Sequence, residues 1–167
     1  MHSEKDYYIP FEGLKLGLHE FDFKLNNDFF SAEMSSFIEK GQLNLKFKLD
    51  KKERLMVGSF SFEGYVIHPC DLCTDDVKVQ LEDSFEIIYK FGNELSDDES
   101  LVMVPDNEFE INLIPSCIDF IAEMLPSKNV HDEGNCNEEM LKLLEKYSIE
   151  GENDNIDPRW ESLKKLN

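Results

Sequence analysis

Apolar and polar side chains alternate with a period of two through much of the first half of the chain. Phe21, Phe23 and Leu25 alternate with Asp22 and Lys24, and Leu43, Leu45, Phe47 and Leu49 alternate with Asn44, Lys46 and Lys48. Val77, Val79, Leu81, Phe85, Ile87 and Tyr89 share one parity, with Lys78, Gln80, Glu82 and Glu86 on the other. Such alternation buries one face of a strand and wets the other, the habit of antiparallel sheets. Leu55 to Ile67 reads as a further strand, with Gly58 and Gly64 as candidate bulge or bend sites. Asp50-Lys51-Lys52-Glu53 reads as a hairpin turn. Ala32 to Ile38 reads as a short helix, and Phe109 and Ile111 as the end of a short strand.

The period then changes. Ile114, Cys117, Ile118, Ile121 and Leu125 recur at helical spacing, with Asn112 placed to cap, Pro115 tolerated in the first turn and Pro126 ending the pattern. A second helix is predicted through Met140, Leu141, Leu144 and Tyr147. A last short one starts at Asp157-Pro158, docked by Trp160 and Leu163. Strands followed by helices without βαβ alternation predict an α+β fold, a meandering antiparallel sheet with helices from the C-terminal half packed against it. The 167 residues suit one domain over 1–167, with an acidic loop at about 92–100 and a linker at about 150–156.

Charge narrows the function. The chain carries 36 Asp+Glu against 17 Lys+Arg, a formal net charge of −19. Residues 1–90 hold 17 acids and 11 bases, and residues 91–167 hold 19 and 6. A field of this sign repels phosphate, which argues against broad binding to nucleic acid or anionic membrane. No apolar run reaches the roughly 18 residues that span a bilayer. The opening residues Met1 to Asp6 lack the basic and apolar regions of a signal peptide, so a cytoplasmic protein is expected.

Four cysteines in such a chain are expected as reduced thiols or metal ligands. Cys70-Asp71-Leu72-Cys73 falls at the tip of the hairpin joining 55–67 to 75–89. A C-x-x-C in a tight turn aims two thiolates at one point, half of a tetrahedral zinc site. His131 and Cys136, spaced H-x4-C between two helices, can supply the other half and complete a closed, structural Cys3His set. The other reading is a free reduced pair with His131 on a surface loop. A thioredoxin-like redox role lacks its βαβ context. Cys117 lies on an apolar helix face and reads as core, while His68 adjoins the turn as a substitute ligand.

The order of these features resembles the YceD family, the large ribosomal RNA subunit accumulation proteins. The features are Cys70-x-x-Cys73, an acidic loop, a strand leading into an apolar helix, Pro126, Val130-His131 and Cys136. The ending Asp157-Pro158-Arg159-Trp160-Glu161-Ser162-Leu163-Lys164-Lys165-Leu166 is similar to that family's. The resemblance implies a small cytoplasmic bacterial protein needed for normal levels of 23S ribosomal RNA in ribosome biogenesis. It carries over no catalytic residue, and it strengthens a shared site at Cys70, Cys73, His131 and Cys136. Its partners would be ribosome-assembly or rRNA-metabolism proteins.

Enzyme motifs are missing: there is no Gly-rich phosphate loop, G-x-S-x-G or H-E-x-x-H. Asp75-Asp76 and Asp97-Asp98-Glu99 read as solvated loops. A closed Cys3His zinc site has no open position for water, so it is not catalytic. The expected function is a non-catalytic accessory factor with no small-molecule substrate and no membrane. The competing reading is a zinc-stabilised RNA-binding or RNA-processing domain. Its cations would be Lys46, Lys48, Lys51, Lys52 and Arg54, which otherwise read as solubilising and edge-protecting residues. No aromatic interleaving supports base stacking among them.

Overall fold

A computed structural model of the protein describes residues 7–33, 38, 40–92 and 100–148. The alternating segments become β2 (Gly17–Leu25), β3 (Lys40–Lys51), β4 (Leu55–Pro69) and β5 (Asp76–Phe91). With β6 (Leu101–Val104) they form one sheet in the order β2-β3-β4-β5-β6. The registers of β3 on β4 and of β4 on β5 run without interruption, from Lys40↔Ile67 to Lys51↔Met56 and from Leu55↔Lys90 to Pro69↔Asp76. Each predicted apolar parity is the one that faces the core. Leu43, Leu45, Phe47 and Leu49 are fully buried, while the even-numbered Gln42, Asn44, Lys46 and Lys48 stay in water. Short β1 (Tyr8–Ile9) pairs with β7 (Ile111–Asn112) as a separate two-stranded ribbon. Among the described residues no helix is long and apolar enough to cross a membrane.

Four local expectations are corrected. β6 runs parallel to β5, so the sheet is mixed and not a pure antiparallel meander. Leu101–Val104 is a continuous apolar run with no alternation, which hides its direction from the sequence. The early helix, expected from Ala32, starts at Asn27 as α1 (Asn27–Glu33), because Asn26 accepts from the backbone N–H of Asp28 and Phe29; residues 34–37 of the expected span lie outside the described residues. Gly58 and Gly64 make no bulge; both stay in register. Phe109 lies outside β7 and is 54% exposed. The loop near 92–100 falls largely outside the described residues, as do the linker near 150–156 and the segment around Asp157, Trp160 and Leu163.

Gly64 is needed for close approach. Its φ is +152°, and a Cβ there would collide with the Gln42 carbonyl oxygen on the facing strand. Any side chain therefore meets both backbone strain and an unyielding neighbour.

Helix α2 (Ile114–Met124) covers the sheet. Leu113 is its N-cap residue, and Asn112 assists from one position earlier by accepting the Ile114 N–H. Ile114, Cys117 and Ile121 are buried, at about 1.5–3 kcal/mol for each large apolar side chain. Phe120 stacks on Phe85 with ring centroids 4.4 Å apart and meets Phe60 edge-on at 5.1 Å. Cys117 is fully buried, and burial pushes its thiol up to about 12, so it is an inert core group as expected. Helix α3 (Glu138–Tyr147) differs: it has no buried residue, and Leu143, Leu144 and Tyr147 are exposed.

Two outcomes follow from this packing. Gly64→Ala should destabilise the protein by about 2–4 kcal/mol in urea unfolding, whereas Gly13→Ala, which meets open space, should change it by under about 0.5 kcal/mol. Cys117→Ala should cost about 1 kcal/mol in the same assay and leave the number of titratable thiols on the remaining cysteines unchanged.

Candidate metal centre

The β4–β5 hairpin delivers the first pair of donors. Past Pro69 the strands part, and the turn closes with Cys70 N–H donating to the Asp75 carbonyl and Thr74 N–H donating to the Cys70 carbonyl. Thr74 takes φ 64°, which tightens the loop so that both cysteines point inward. Cys70 and Cys73 are almost wholly buried, unusual for the tip of a hairpin.

The second pair comes from the loop between α2 and α3. Pro126 ends the α2 pattern, and Asn129 ties the loop to the hairpin. Its N–H donates to the Asp71 carboxylate at 2.6 Å, the Asp71 N–H donates to its carbonyl at 2.8 Å, and its side-chain amide donates to Pro126. His131 follows, and the chain then turns back through Asp132–Asn135. Gly134 supplies the positive φ (85°) that the turn requires, and Cys136 returns to the site. Asn137 caps α3 by accepting from Glu139 and Met140 N–H, and its amide donates to the Asp75 carboxylate.

Four donor atoms converge as a result. The ligand atoms of Cys70, Cys73, His131 and Cys136 all lie within 4.8 Å of one another. Cys70 Sγ is 3.8 Å from Cys136 Sγ, and His131 Nδ1 is 3.4 Å from Cys73 Sγ and 3.8 Å from Cys136 Sγ. A tetrahedron with bonds of about 2.3 Å to sulfur and 2.0–2.1 Å to nitrogen has edges of about 3.4–3.8 Å. These three separations, of the six among the four donors, match those edges, and all four cysteines of the chain are free of disulfides. His131 is also oriented for ligation. Its Nε2 lies 3.1 Å from the Asp76 carbonyl, which can only accept, so Nε2 carries the proton and Nδ1 presents a lone pair to the sulfurs.

The electrostatics show what the cluster lacks by itself. Burial raises the Cys70 thiol, but backbone N–H groups of Cys73, Leu72 and His131 outweigh it and bring the group down to about 6. Burial, reinforced by Cys70 and Cys73, pushes Cys136 up to about 11. The Asp76 carbonyl and the Cys70 side chain push His131 up. Left to themselves these groups divide, one sulfur ionised and another protonated, because adjacent thiolates repel. A divalent cation removes that conflict by favouring the deprotonated form of every donor.

The other expected residues are placed as follows. His68 turns away from the cluster, its Nδ1 beside the Pro69 carbonyl. Asp75 and Asp76, expected as solvated loop residues, serve the site through the Asn137 cap and the His131 contact. Among the five cations, Lys51 Nζ donates to the Phe11 and Leu14 carbonyls, Lys48 pairs with Glu20 and Lys52 with Asp50. Lys46 faces Asp22 across the β2–β3 pair, and Arg54 lies in the turn. Sequence reasoning missed Asp71 and Asn129, whose only signal is polarity beside a ligand.

Residues 58–167 match the family model described as large ribosomal RNA subunit accumulation protein YceD. No curated protein and no solved structure matches the chain. The matched stretch begins within β4 and holds both halves of the cluster together with α2 and α3. With well over half of its length matched, the chain belongs to the YceD family.

Proposed function

We propose that the protein is a non-catalytic, cytoplasmic accessory factor that supports the synthesis, processing or stability of 23S ribosomal RNA during ribosome biogenesis. We further propose that Cys70, Cys73, His131 and Cys136 hold a structural zinc ion within it. The observation that carries the first statement is the family match, whose description names accumulation of the large ribosomal RNA. The convergence of exactly four donors, three sulfur and one nitrogen, supports the second. Zinc bound there would act as a cross-link, and with four protein ligands it would leave no position for a substrate or water. The donors come from a hairpin and from a loop 58 positions away, so the ion would join the sheet to the C-terminal helices.

The reading as a direct RNA-binding or RNA-processing domain finds less support. Three of the five cations on which it depends are engaged with carbonyls or carboxylates. The net charge of −19 adds long-range repulsion of phosphate. Partners among ribosome-assembly or rRNA-metabolism proteins fit the charge better than bare RNA does.

Freshly purified reduced protein should carry about one zinc per chain by elemental analysis. Chelation should lower the melting temperature, Cys70→Ser should lower it comparably, and lowering the pH from 8 to 5 should release the metal as the sulfurs and His131 take up protons. In cells, deleting the gene should lower mature 23S relative to 16S ribosomal RNA. An unchanged ratio contradicts the proposed role, and binding of naked 23S RNA at physiological salt with a steep salt slope favours the direct-binding reading instead.

A further inference from the structure

Helix α3 presents an apolar face that none of the described residues covers. Met140, Leu141, Leu143, Leu144 and Tyr147 fall on one side of it, and Glu138, Glu139, Lys142, Glu145 and Lys146 on the other. Met140 packs partly against the core, but Leu143 is 48% exposed, Leu144 50% and Tyr147 74%. The other two described helices use their apolar residues: α1 buries Phe29 and Phe30, and α2 buries Ile114, Cys117 and Ile121. A helix of 10 residues is shorter than the roughly 12–15 that hold unaided in water, and it draws its stability from packing such a face.

Charge at the borders of the face selects its cover. Glu139 lies one turn from Leu143, and Glu145 one turn from Leu141, so a carboxylate edges the face on each side. Neither forms an ion pair among the described residues. The complement is an apolar stripe with basic neighbours, and the chain carries one downstream. Asp157-Pro158 has the residues of a helix start, and Trp160, Leu163 and Leu166 recur behind it at every third position. Lys164 is four positions from Trp160 and Arg159 four from Leu163. With Lys165 they are three of the 6 bases in residues 91–167. Residues 149–156 separate the two segments, within the range of about 2–8 residues that commonly join neighbouring helices. Gly151 and Asn153-Asp154-Asn155 among them are residues suited to a turn. A tethered segment meets the face at an effective concentration on the order of millimolar, which a free partner or a second copy must exceed.

We propose that residues 157–166 fold back on α3 as a short antiparallel helix, with Trp160 and Leu163 against Leu143, Leu144 and Tyr147, and with Arg159 and Lys164 facing Glu139 and Glu145.

Trp160 is the chain's 1 tryptophan, so its fluorescence reports this contact directly. In the full-length protein its emission should lie to the blue of tryptophan amide and resist quenching by acrylamide. Leu144→Ser with Tyr147→Ser should shift the emission to the red and remove most of that protection. Both side chains are exposed, so the urea midpoint of the sheet core, read by far-ultraviolet circular dichroism, should not move. Leu18→Ser, at an exposed apolar position of β2, should leave the emission unchanged. Glu139→Lys with Glu145→Lys should raise quenching as the charge match is reversed. In the unaltered protein, nuclear Overhauser contacts should join the Trp160 indole to the Leu143 or Leu144 methyls. Emission and quenching equal to those of tryptophan amide overturn the proposal. So does protection that survives the Leu144 and Tyr147 substitutions, which places Trp160 elsewhere, or protection lost on dilution, which makes a second copy the occupant. The readout involves neither RNA nor metal content, so it can fail while the proposed function stands, and the reverse.

Discussion

Three sulfurs and an imidazole nitrogen within 4.8 Å of one another form the constraint on which the C-terminal part of this structure depends. Such a group cannot carry three thiolate charges without a cation among them. The hydrogen bonds around it suit such a cation. Backbone N–H groups draw Cys70 down to about 6, and the Asp76 carbonyl fixes the protonated nitrogen of His131 on the far side of the ring. The stakes are clearest at α3, which buries no residue and starts directly after Cys136. Its position follows from the Cys136 sulfur, the Asn137 cap on Asp75 and the partly buried Met140 rather than from a hydrophobic face.

The sheet's contribution is reach. β4 and β5 extend as one uninterrupted ladder from the aromatic core around Phe60, Phe85 and Phe120 out to Pro69 and Asp76. Because no bulge redirects it, the ladder carries the cysteine turn to the loop that follows α2. The Asp71–Asn129 pair of hydrogen bonds then fixes the two segments together without help from a metal. The core belongs to the sheet and α2, and the docking of the last described helix belongs to the Cys/His cluster.

The strands were legible because one-sided burial imposes a period of two, and Leu43 to Leu49 obey it without exception. The four metal-ligand candidates were legible by residue type and spacing, since C-x-x-C in a turn and H-x4-C in a loop are short-range patterns. What remained hidden is tertiary. The parallel pairing of β6 comes from an apolar run without alternation, and the start of α1 is set by a single cap at Asn26. Asp71 and Asn129 become important only once two distant segments meet. The cations of the 46–54 segment look free in sequence because their partners Phe11, Leu14 and Glu20 lie on other parts of the chain.

The central claim, that these four side chains form one closed metal site tying sheet to helices, is tested most directly by X-ray absorption at the zinc edge of the purified protein. The account predicts a four-coordinate shell of three sulfurs at about 2.3 Å and one nitrogen at about 2.0–2.1 Å. A shell dominated by oxygen, one with only two sulfurs, or protein whose cysteines are all reduced and carry no zinc would contradict it.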